Sequence, residues 1–477
     1  MARVLLCTTP RQPFHTLTAL FPDLSPHGLQ VLSAVLKRDG HEVRIADVEH
    51  LPPYPPLLRG LLDSFRPDVV GFSNNCLPNT PVILQVARRV KADHPGVKLM
   101  AGGEVPTQRP EYFLQGEDAV MDAVCIGEAE NSVSALAEAL TGQRDRAAVP
   151  GIAYPDGRGG LRRTPPAPPV ADLDSLPMPD WAGTLKPAPF SSGLSASVET
   201  ARGCPYACSF CSIPGYFGRE PRFKSVGRIL AELRHLKSLG VTEVSFIDDS
   251  FATDIPRAQA LFTGMLAEGL GLRFGIQIRA DIVARNPGLM ALAARAGLFL
   301  AVVGFEGYSA RALKDANKGS SRAINEAASR LLRGLGVCVY GTHIFGGPGM
   351  RASDNLLTFV LGRRNSDVFR MTIYTPLPGS PAFAELERAG RIRTRDPRDY
   401  YYGTYVLDDG HDPALVKLGY FGLQLLHYAL PGTAFKALAA RHAVVRAFNR
   451  RAYRGACEFV VGQVLALTGF ASEARKP

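Results

Sequence analysis

The 477-residue sequence has no apolar run close to the roughly 18 residues that a membrane-spanning helix needs. Its first ten residues contain too short an apolar segment for a secretory signal peptide, and we expect a β-strand there instead. Five of its eight cysteines are isolated, which is typical of reduced thiols and not of a disulfide scaffold. They are Cys7, Cys76, Cys125, Cys338 and Cys457. These absences favour a cytoplasmic protein.

The sequence also has little that indicates nucleic-acid binding. The net charge is +10, but the basic residues are not concentrated around aromatic side chains that could stack on bases. We therefore expect no nucleic-acid partner. Hydrophobic residues make up 46% of the chain, enough for sizeable buried cores.

The other three cysteines, Cys204, Cys208 and Cys211, have the spacing Cys-x3-Cys-x2-Cys. Three thiolates at this spacing can hold three irons of a [4Fe–4S] cube, which leaves the fourth iron open to a substrate or cofactor. A structural zinc site needs four ligands, but the next histidine is His235 and no fourth cysteine lies nearby. The spacing therefore predicts an iron–sulfur cluster.

Residues 1–145 alternate between short apolar runs and helical periodicity, which predicts a doubly wound parallel α/β sheet covered on both faces. The predicted strands are 4–7, 43–45, 69–73, 98–101 and 120–126, and the predicted helices are 28–38, 80–92 and 130–140. Ligands of such sheets lie at the carboxyl ends of the strands. The candidate residues at those ends are Ser73, Gly102, Gly103, Glu104, Gly127 and Glu128. Glycine lets a ligand approach the backbone closely, although turn formation explains glycine there equally well.

Residues 146–194 are rich in proline and glycine and are predicted to form a semi-rigid linker with one short strand near 151–154. Residues 195–381 then contain six strand–helix units, which predict a partial parallel (βα)6 barrel of the TIM type. The strands are expected at 195–201, 241–247, 273–278, 299–305, 337–345 and 368–374, and the helices at 226–238, 256–268, 287–296, 322–335 and 353–362. The cysteine motif follows the first strand, at the end of the barrel where active sites lie. Residues 382–477 are predicted to be mainly helical.

The cysteine motif resembles the signature of the radical S-adenosylmethionine (SAM) enzymes. The segments 26–29, 67–73, 102–104 and 126–130 resemble, in order, the cobalamin-binding domain that precedes the cluster domain in the largest branch of that family. The resemblance covers about residues 1–381. It implies that the six strand-end residues of the first domain contact cobalamin.

The same resemblance assigns roles at the strand ends of the barrel. It implies that Arg279 holds the SAM carboxylate and Glu306 the ribose hydroxyls. Ile344 and Gly346 would line the adenine, and the pair Asp248 and Asp249 would face the SAM amino group or the substrate. Three neighbours have simpler explanations: Asp281 as a helix cap, Lys318 as a solvated loop charge, and His343 as a barrel-core histidine, which we favour over a catalytic role.

In this family, one SAM methylates reduced cobalt, and a second SAM bound to the open iron yields a 5′-deoxyadenosyl radical that activates a substrate carbon for methyl transfer. The resemblance therefore implies a cobalamin-dependent methyltransferase that acts on an unactivated carbon of a small molecule or lipid, with a flavodoxin or ferredoxin as reductant. Two alternatives remain: oxidative cyclisation or ring rearrangement on the same scaffold, and an electron-transfer or sensing iron–sulfur protein. The methylthiotransferases share the cysteine motif but carry further amino-terminal cysteines for a second cluster, whereas those here are single and widely spaced.

The hexapeptide Asp-x-His-x-x-Gly, which supplies a histidine ligand to cobalt in some cobalamin domains, is absent from the sequence. The segment that begins at Asp39 has Arg44 in place of the glycine. We therefore predict that no protein histidine binds cobalt, with His15 and His27 as the nearest candidates to the contrary.

The segment 436–454 carries six basic residues and no acidic one. It is predicted either to form part of a helical cap that closes the open side of the barrel, which we favour, or to contact anionic membrane at its inner face.

Overall fold

The computed structural model of the protein describes residues 1–10, 25–49, 51–116, 119–400, 403–430, 445–447 and 450. Its strands are β1 (Arg3–Cys7), β2 (Glu42–Ala46), β3 (Val69–Ser73), β4 (Lys98–Gly102), β5 (Ala123–Cys125), β6 (Ile152–Pro155), β7 (Leu161–Arg163), β8 (Lys186–Pro187), β9 (Leu194–Val198), β10 (Ala201–Arg202), β11 (Arg222–Phe223), β12 (Val241–Phe246), β13 (Arg273–Arg279), β14 (Leu298–Glu306), β15 (Cys338–Phe345) and β16 (Val368–Ile373). Its helices are α1 (His27–Arg38), α2 (Pro56–Phe65), α3 (Thr80–Asp93), α4 (Glu104–Gln108), α5 (Glu111–Leu114), α6 (Val133–Leu140), α7 (Ile213–Tyr216), α8 (Val226–Ser238), α9 (Ile255–Ala267), α10 (Ala280–Arg285), α11 (Pro287–Ala296), α12 (Ala310–Asp315), α13 (Arg322–Gly334), α14 (Ala352–Asn365), α15 (Pro381–Arg388) and α16 (Pro413–Ala429).

The first sheet has the strand order β2-β1-β3-β4-β5-β6-β7. Strands β1 to β5 pair in parallel, as expected for a doubly wound domain. The first four residues of β3, Val-Val-Gly-Phe, are buried because helices cover both faces of the sheet. The strand order reverses between β1 and β3, and this switch point is where a doubly wound sheet opens a crevice for a ligand.

The segment 146–194 contains the strand predicted near 151–154, which is β6, and two further strands that were not predicted. Strands β6 and β7 extend the first sheet in antiparallel pairing, and β8 pairs antiparallel with β9 at the edge of the second sheet. Asp180 also accepts hydrogen bonds from Ser33 and Lys37 of α1, both at 2.6 Å. The proline-rich stretch therefore wraps the first domain and joins it to the second.

The second sheet has the order β16-β15-β14-β13-β12-β9-β8. Its six longer strands pair in parallel, and in the described residues no pairing joins β16 to β8, so the barrel is partial as predicted. Helices α8 and α11 have the predicted bounds, and the other predicted barrel helices begin or end within a few residues of theirs. The short helices α10 and α12 were not predicted.

Several helices begin at a residue whose side chain caps the first turn. Ser225, Asp254, Ser321 and Ser380 each accept a hydrogen bond from the backbone three residues ahead, at the start of α8, α9, α13 and α15. Such caps satisfy amide groups that have no partner within the helix, and so they fix where each helix begins. Sequence periodicity located both ends of α8, α9 and α13 to within one residue.

The C-terminal region packs against the last barrel strand. The Tyr420 hydroxyl in α16 donates a hydrogen bond to the Met371 carbonyl at 3.0 Å. Val445 is buried beside Val302 and Tyr340, which supports a helical cap. Only residues 445–447 and 450 of the basic segment 436–454 are described, so its predicted membrane contact lies mostly outside the described residues. Within the described ranges, no helix has both the length and the apolar content to cross a bilayer.

Candidate active site

The cysteine motif lies in a loop closed by a short antiparallel pair, β10 with β11. Three contacts tie the loop to the end of α12 and the residues after it: the Ser209 amide donates to the Ala316 carbonyl at 3.1 Å, the Ser209 hydroxyl to the Asp315 carbonyl at 2.7 Å, and the Asn317 side chain to the Ala207 carbonyl at 2.6 Å. The barrel therefore holds the loop at its mouth through protein contacts alone.

The three cysteines have the chemistry of a cluster site. Within the described residues, no group of three His, Cys, Asp or Glu side chains is placed to hold one metal ion directly. A cube binds each thiolate to a different iron, so it does not require the three thiolates to meet at one ion. The guanidinium of Arg279 donates to the Cys208 sulfur at 3.5 Å. Burial raises the pKa of the Cys211 thiol to about 12, and iron coordination would overcome this by deprotonating the thiol.

Arg279 lies at the end of β13 with its side chain buried. Its Nε donates to Asp281 at 2.9 Å, and its guanidinium carbon lies 3.8 Å from the centre of the Tyr206 ring. Asp281 therefore orients Arg279, and its predicted role as a helix cap is wrong, since the residue at the cap position of α10 is Arg279 itself.

Lys318 is buried, so its description as a solvated loop charge is wrong. Its ammonium donates to Glu306 at 2.9 Å. A Cβ on Gly304 would lie 2.5 Å from the Glu306 carboxylate and 2.7 Å from the Lys318 ammonium, so a side chain at this position would have to displace the pair. Glu306 and Ile344 both line a cavity of about 220 Å³. Their proposed contacts with the ribose and adenine of SAM fit this cavity.

Gly346 does not line that cavity, although the next residue, Gly347, does. The Gly346 amide donates to the Asn355 side chain at 3.0 Å. His343 is buried among the rings of Phe305, Tyr308 and Phe369, with Nδ1 3.0 Å from the Arg370 carbonyl. This agrees with its interpretation as a core histidine.

The pair Asp248 and Asp249 divides between two roles. Asp248 is buried and accepts hydrogen bonds from the Thr200 amide at 2.6 Å, the Thr200 hydroxyl and the Ala201 amide at 3.2 Å. Its carboxylate thus holds the backbone that leads into the cysteine loop, and the prediction that it faces a ligand is corrected. Asp249 instead lines the cavity between the two domains. Burial and the charge of Asp248 raise the pKa of Asp249 to about 7.

A cavity of about 330 Å³ lies between the two domains, inside a wider cleft of about 1330 Å³ that is open to solvent. We call it the interdomain cavity. The first domain contributes, among others, the predicted residues Ser73, Gly102, Gly103, Glu104 and Glu128, and the barrel domain contributes Glu199, Ala201, Arg202, Ile213, Tyr216, Phe217, Ile247 and Asp249. Five of the six predicted cobalamin residues therefore line one cavity, which faces the barrel mouth.

One wall of the interdomain cavity is an apolar slot. Its residues are Leu6, Met100 and Cys125 on the first sheet and Leu29, Leu32, Ala129 and Val133 on or beside α1 and α6. Gly71 also lies in this wall, where it adds no side chain. A slot between a sheet and two helices, without charged groups, suits a flat aromatic base such as the one on the cobalamin tail. The residues present therefore fit this cofactor.

The mouth of the slot shows why its rim carries glycine. Gly103 has φ +104°, and a Cβ there would lie 2.5 Å from the Asn75 side chain and 2.8 Å from the Asn74 carbonyl. Gly127 does not line the cavity, and its amide donates to Thr107 at 2.9 Å. Glu104 remains a candidate contact, and burial raises its pKa.

Glu128 lines the cavity, but its carboxylate is already engaged. It accepts hydrogen bonds from Arg202 at 2.8 Å and from both guanidinium nitrogens of Arg222, one of them at 3.0 Å. The prediction that its side chain contacts cobalamin is corrected: it binds two arginines of the other domain. Sequence reasoning missed both arginines, although each flanks the cysteine motif.

His15 lies outside the described residues. His27 is buried and lines the interdomain cavity. Burial lowers its pKa to about 3, so the imidazole is neutral. The prediction that no histidine binds cobalt stays a prediction, and His27 is the residue on which to test it.

Known protein families match both halves of this architecture. The B12 binding domain matches residues 16–137, and the Radical SAM superfamily matches residues 198–359. Hopanoid C-3 methylase of Methylococcus capsulatus is 30% identical over 393 residues, which cover 80% of this chain and 72% of that protein. The chain belongs to the cobalamin-dependent radical SAM methylases. Its cofactors are a [4Fe–4S] cluster, SAM and cobalamin.

Solved structures share the fold. TsrM from Kitasatospora setae, with cobalamin and a [4Fe–4S] cluster bound, has a TM-score of 0.70 at 18% identity and covers 97% of this chain and 100% of its own. OxsB, with aqua-cobalamin and SAM bound, has a TM-score of 0.72 at 16% identity and covers 98% of this chain and 75% of its own. A relative with a different reaction is the anaerobic magnesium-protoporphyrin IX monomethyl ester cyclase of Rubrivivax gelatinosus, 29% identical over 365 residues, which cover 73% of this chain and 63% of that protein.

Proposed function

We propose that this enzyme transfers a methyl group to an unactivated carbon of a largely apolar small molecule or lipid. The observation that carries the proposal is the interdomain cavity, whose glycine-edged wall faces the barrel mouth and its cysteine loop. When bound, the cofactors supply a carbon radical initiator and a transferable methyl group. The protein's task is to hold both groups in line with one substrate carbon.

The residues of the barrel mouth would serve SAM. Arg279, oriented by Asp281, carries the positive charge for the carboxylate of SAM. Glu306, held by Lys318, offers oxygens to the ribose hydroxyls. Asp249 faces the interdomain cavity, where it can accept a hydrogen bond from the SAM amino group or the substrate.

An apolar substrate is supported by the side chain of Ile247. It lines the interdomain cavity and is 36% exposed, unusual for an isoleucine next to a barrel core. The relative named hopanoid C-3 methylase is consistent with such a substrate. We retain cyclisation as a second candidate because the tetrapyrrole cyclase also aligns with most of this chain.

Two partners belong to the same proposal. A flavodoxin or ferredoxin would supply the electron for the cluster, which suits a cytoplasmic location. Contact with the inner membrane face would bring the enzyme to a lipid substrate, and α16 supports this because Leu415, Leu418 and Leu425 are 66%, 70% and 54% exposed.

Anaerobic reconstitution with iron, sulfide, cobalamin and SAM tests the proposal. Incubation with a lipid extract of the source cell and a strong reductant should yield 5′-deoxyadenosine and a product heavier by one CH2. A product that has lost hydrogens would favour cyclisation. Reduction without any 5′-deoxyadenosine would instead identify an electron-transfer or sensing protein.

A further inference from the structure

Five charged side chains meet in a buried cluster where the two domains touch. Glu128 and Glu130 come from the first domain, and Glu199, Arg202 and Arg222 come from the barrel domain. Arg202 donates to Glu128 at 2.8 Å, to Glu130 at 2.6 Å and to both oxygens of Glu199 at 3.0 Å. We call this cluster the domain clamp.

The two arginines of the domain clamp bracket the cysteine loop. Arg202 ends β10 and Arg222 begins β11, and the two residues are directly paired in that ladder. Residues 203–221, which include the three cysteines, therefore form a loop that starts and ends at the clamp. Both arginines converge on Glu128, so one carboxylate of the first domain holds both ends of this loop.

Burial makes these contacts specific. Arg202 is 4% exposed and Glu128 8%, and a buried charge without a partner is strongly unfavourable. Burial alone would raise the pKa of Glu128, but the hydrogen bonds and charges of Arg222 and Arg202 outweigh it and lower the pKa. Glu128 is therefore ionised at neutral pH, and a displacement of either domain would leave charges unpaired.

Stability alone does not explain such a cluster. Buried ion pairs are often no more stabilising than well-packed apolar residues of the same volume, and their best-attested use is to fix register. The clamp is also separate from the charged pairs at the SAM residues, Arg279 with Asp281 and Lys318 with Glu306. Its contacts join the segment after β5 in the first domain to both ends of the cysteine loop.

We propose that Glu128 is a positioning residue that couples the two cofactor domains, by holding both ends of the cysteine loop against the interdomain cavity. Which cofactors it couples rests on the proposed function. The loop would keep its own contacts with Asp315 and Asn317 without Glu128, but its distance from the first domain would no longer be fixed.

The substitution Glu128→Gln tests this coupling because it removes the charge and keeps the shape. Glu138→Gln is the matched control, since Glu138 pairs with Arg144 at 2.9 Å within the first domain and away from the interface. Hydrogen–deuterium exchange of the reconstituted protein should show faster exchange of amides in 203–221 for Glu128→Gln only. Glu130→Gln, which touches Arg202 but not Arg222, should have a smaller effect in the same loop.

The second readout is the electron spin relaxation of cobalt. In protein loaded with Co(II) cobalamin, reduction of the cluster should shorten the spin relaxation of cobalt in wild type and in Glu138→Gln. This shortening should be weaker or more widely distributed in Glu128→Gln, with iron content and cobalamin affinity near wild type. Unchanged loop exchange and unchanged cobalt relaxation in Glu128→Gln would overturn the coupling role.

Two further outcomes are also decisive. If cobalamin does not bind even to wild type, the proposed function fails, and loop exchange alone still decides the clamp. If Glu128→Gln does not fold, Glu130→Gln replaces it, and loop exchange equal to the control in that variant contradicts the proposal.

Discussion

The first domain's wall of the interdomain cavity and the charged residues of the barrel mouth differ in how they can bind a ligand. The side formed by the first domain is an apolar slot with a glycine rim, whereas the barrel mouth carries charged side chains that pair with one another. A large cofactor with a flat base is recognised by shape and by close approach of the backbone. SAM is small and charged, and it needs oriented ions. The apolar slot thus has the chemistry to bind cobalamin, and the charged barrel mouth has the chemistry to bind SAM.

This difference explains which residues could be predicted from the sequence. Glycines at strand ends are common for turn reasons, so the slot itself, formed by residues such as Leu6 and Met100, left no distinctive signal. The charged residues of the barrel mouth stood out because lone charges inside a barrel need partners.

The partners of those charges were not predictable. Asp281 and Lys318 lie near the predicted residues in sequence, yet only the fold shows that they orient Arg279 and Glu306. Likewise, only the fold shows that the predicted residue Asp248 holds Thr200. The partners of Glu128 were not predictable either, since the two arginines belong to the other domain and lie 74 and 94 residues away in the sequence. The central strands of both sheets and most of the longer helices were predicted because their patterns are local, although α2 was not predicted.

The largest effect is expected from the cysteines, since the barrel mouth has no function without its cluster. Replacement of Cys204, Cys208 or Cys211 by alanine should abolish the cluster and all cleavage of SAM, because two thiolates do not hold a site-differentiated cube. Iron analysis and 5′-deoxyadenosine assays measure both. Replacement of Cys338, a buried cysteine remote from the loop, is the control. Iron content near wild type in a variant of the motif would contradict the assignment.

Filling the slot should weaken cobalamin binding and leave SAM cleavage unaffected. Ala129→Trp would place an indole in the slot beside Leu29, Leu32 and Val133, where it would occupy the space that the cobalamin base needs, so cobalamin binding should be strongly weakened. Absorbance titration with aqua-cobalamin measures the loss. Ala135→Trp is the matched control, because Ala135 packs against the same core without lining the cavity. SAM cleavage in Ala129→Trp should remain close to wild type, and equal losses in both variants would argue against the slot.

Removing a charge from the barrel mouth should have the opposite effect on the two cofactors. Glu306→Gln should weaken SAM binding by about ten- to a hundredfold, since a hydrogen bond to a charged group contributes roughly 1.5–3 kcal/mol, and cobalamin binding should not change. The variant also leaves Lys318 buried without its partner, which lowers stability. The double variant Glu306→Gln with Lys318→Met should regain thermal stability but not SAM affinity. Recovery of both would show that the pair is structural only.

The smallest expected effect concerns pH and Asp249. Because burial and the charge of Asp248 raise its pKa to about 7, Asp249 is mostly neutral near pH 6 and mostly ionised near pH 8. An ionised carboxylate accepts hydrogen bonds more strongly, so the ratio of wild-type to Asp249→Asn affinity for SAM should rise by up to about tenfold over this range. Using the ratio cancels the titration of SAM itself.

Thermal stability measured without SAM independently checks the direction of the pKa shift of Asp249. A carboxyl group whose pKa is higher in the folded than in the unfolded protein contributes its full share of stability below the unfolded pKa. That contribution is lost as the pH rises from the unfolded pKa to the folded pKa, here between about pH 4 and pH 7. Wild type should therefore lose stability relative to Asp249→Asn across that window and run parallel to it above. If stability follows this course but the SAM affinity ratio stays flat, Asp249 titrates as described without touching SAM. The substrate would then be the ligand of Asp249, which lines the interdomain cavity together with Ile247.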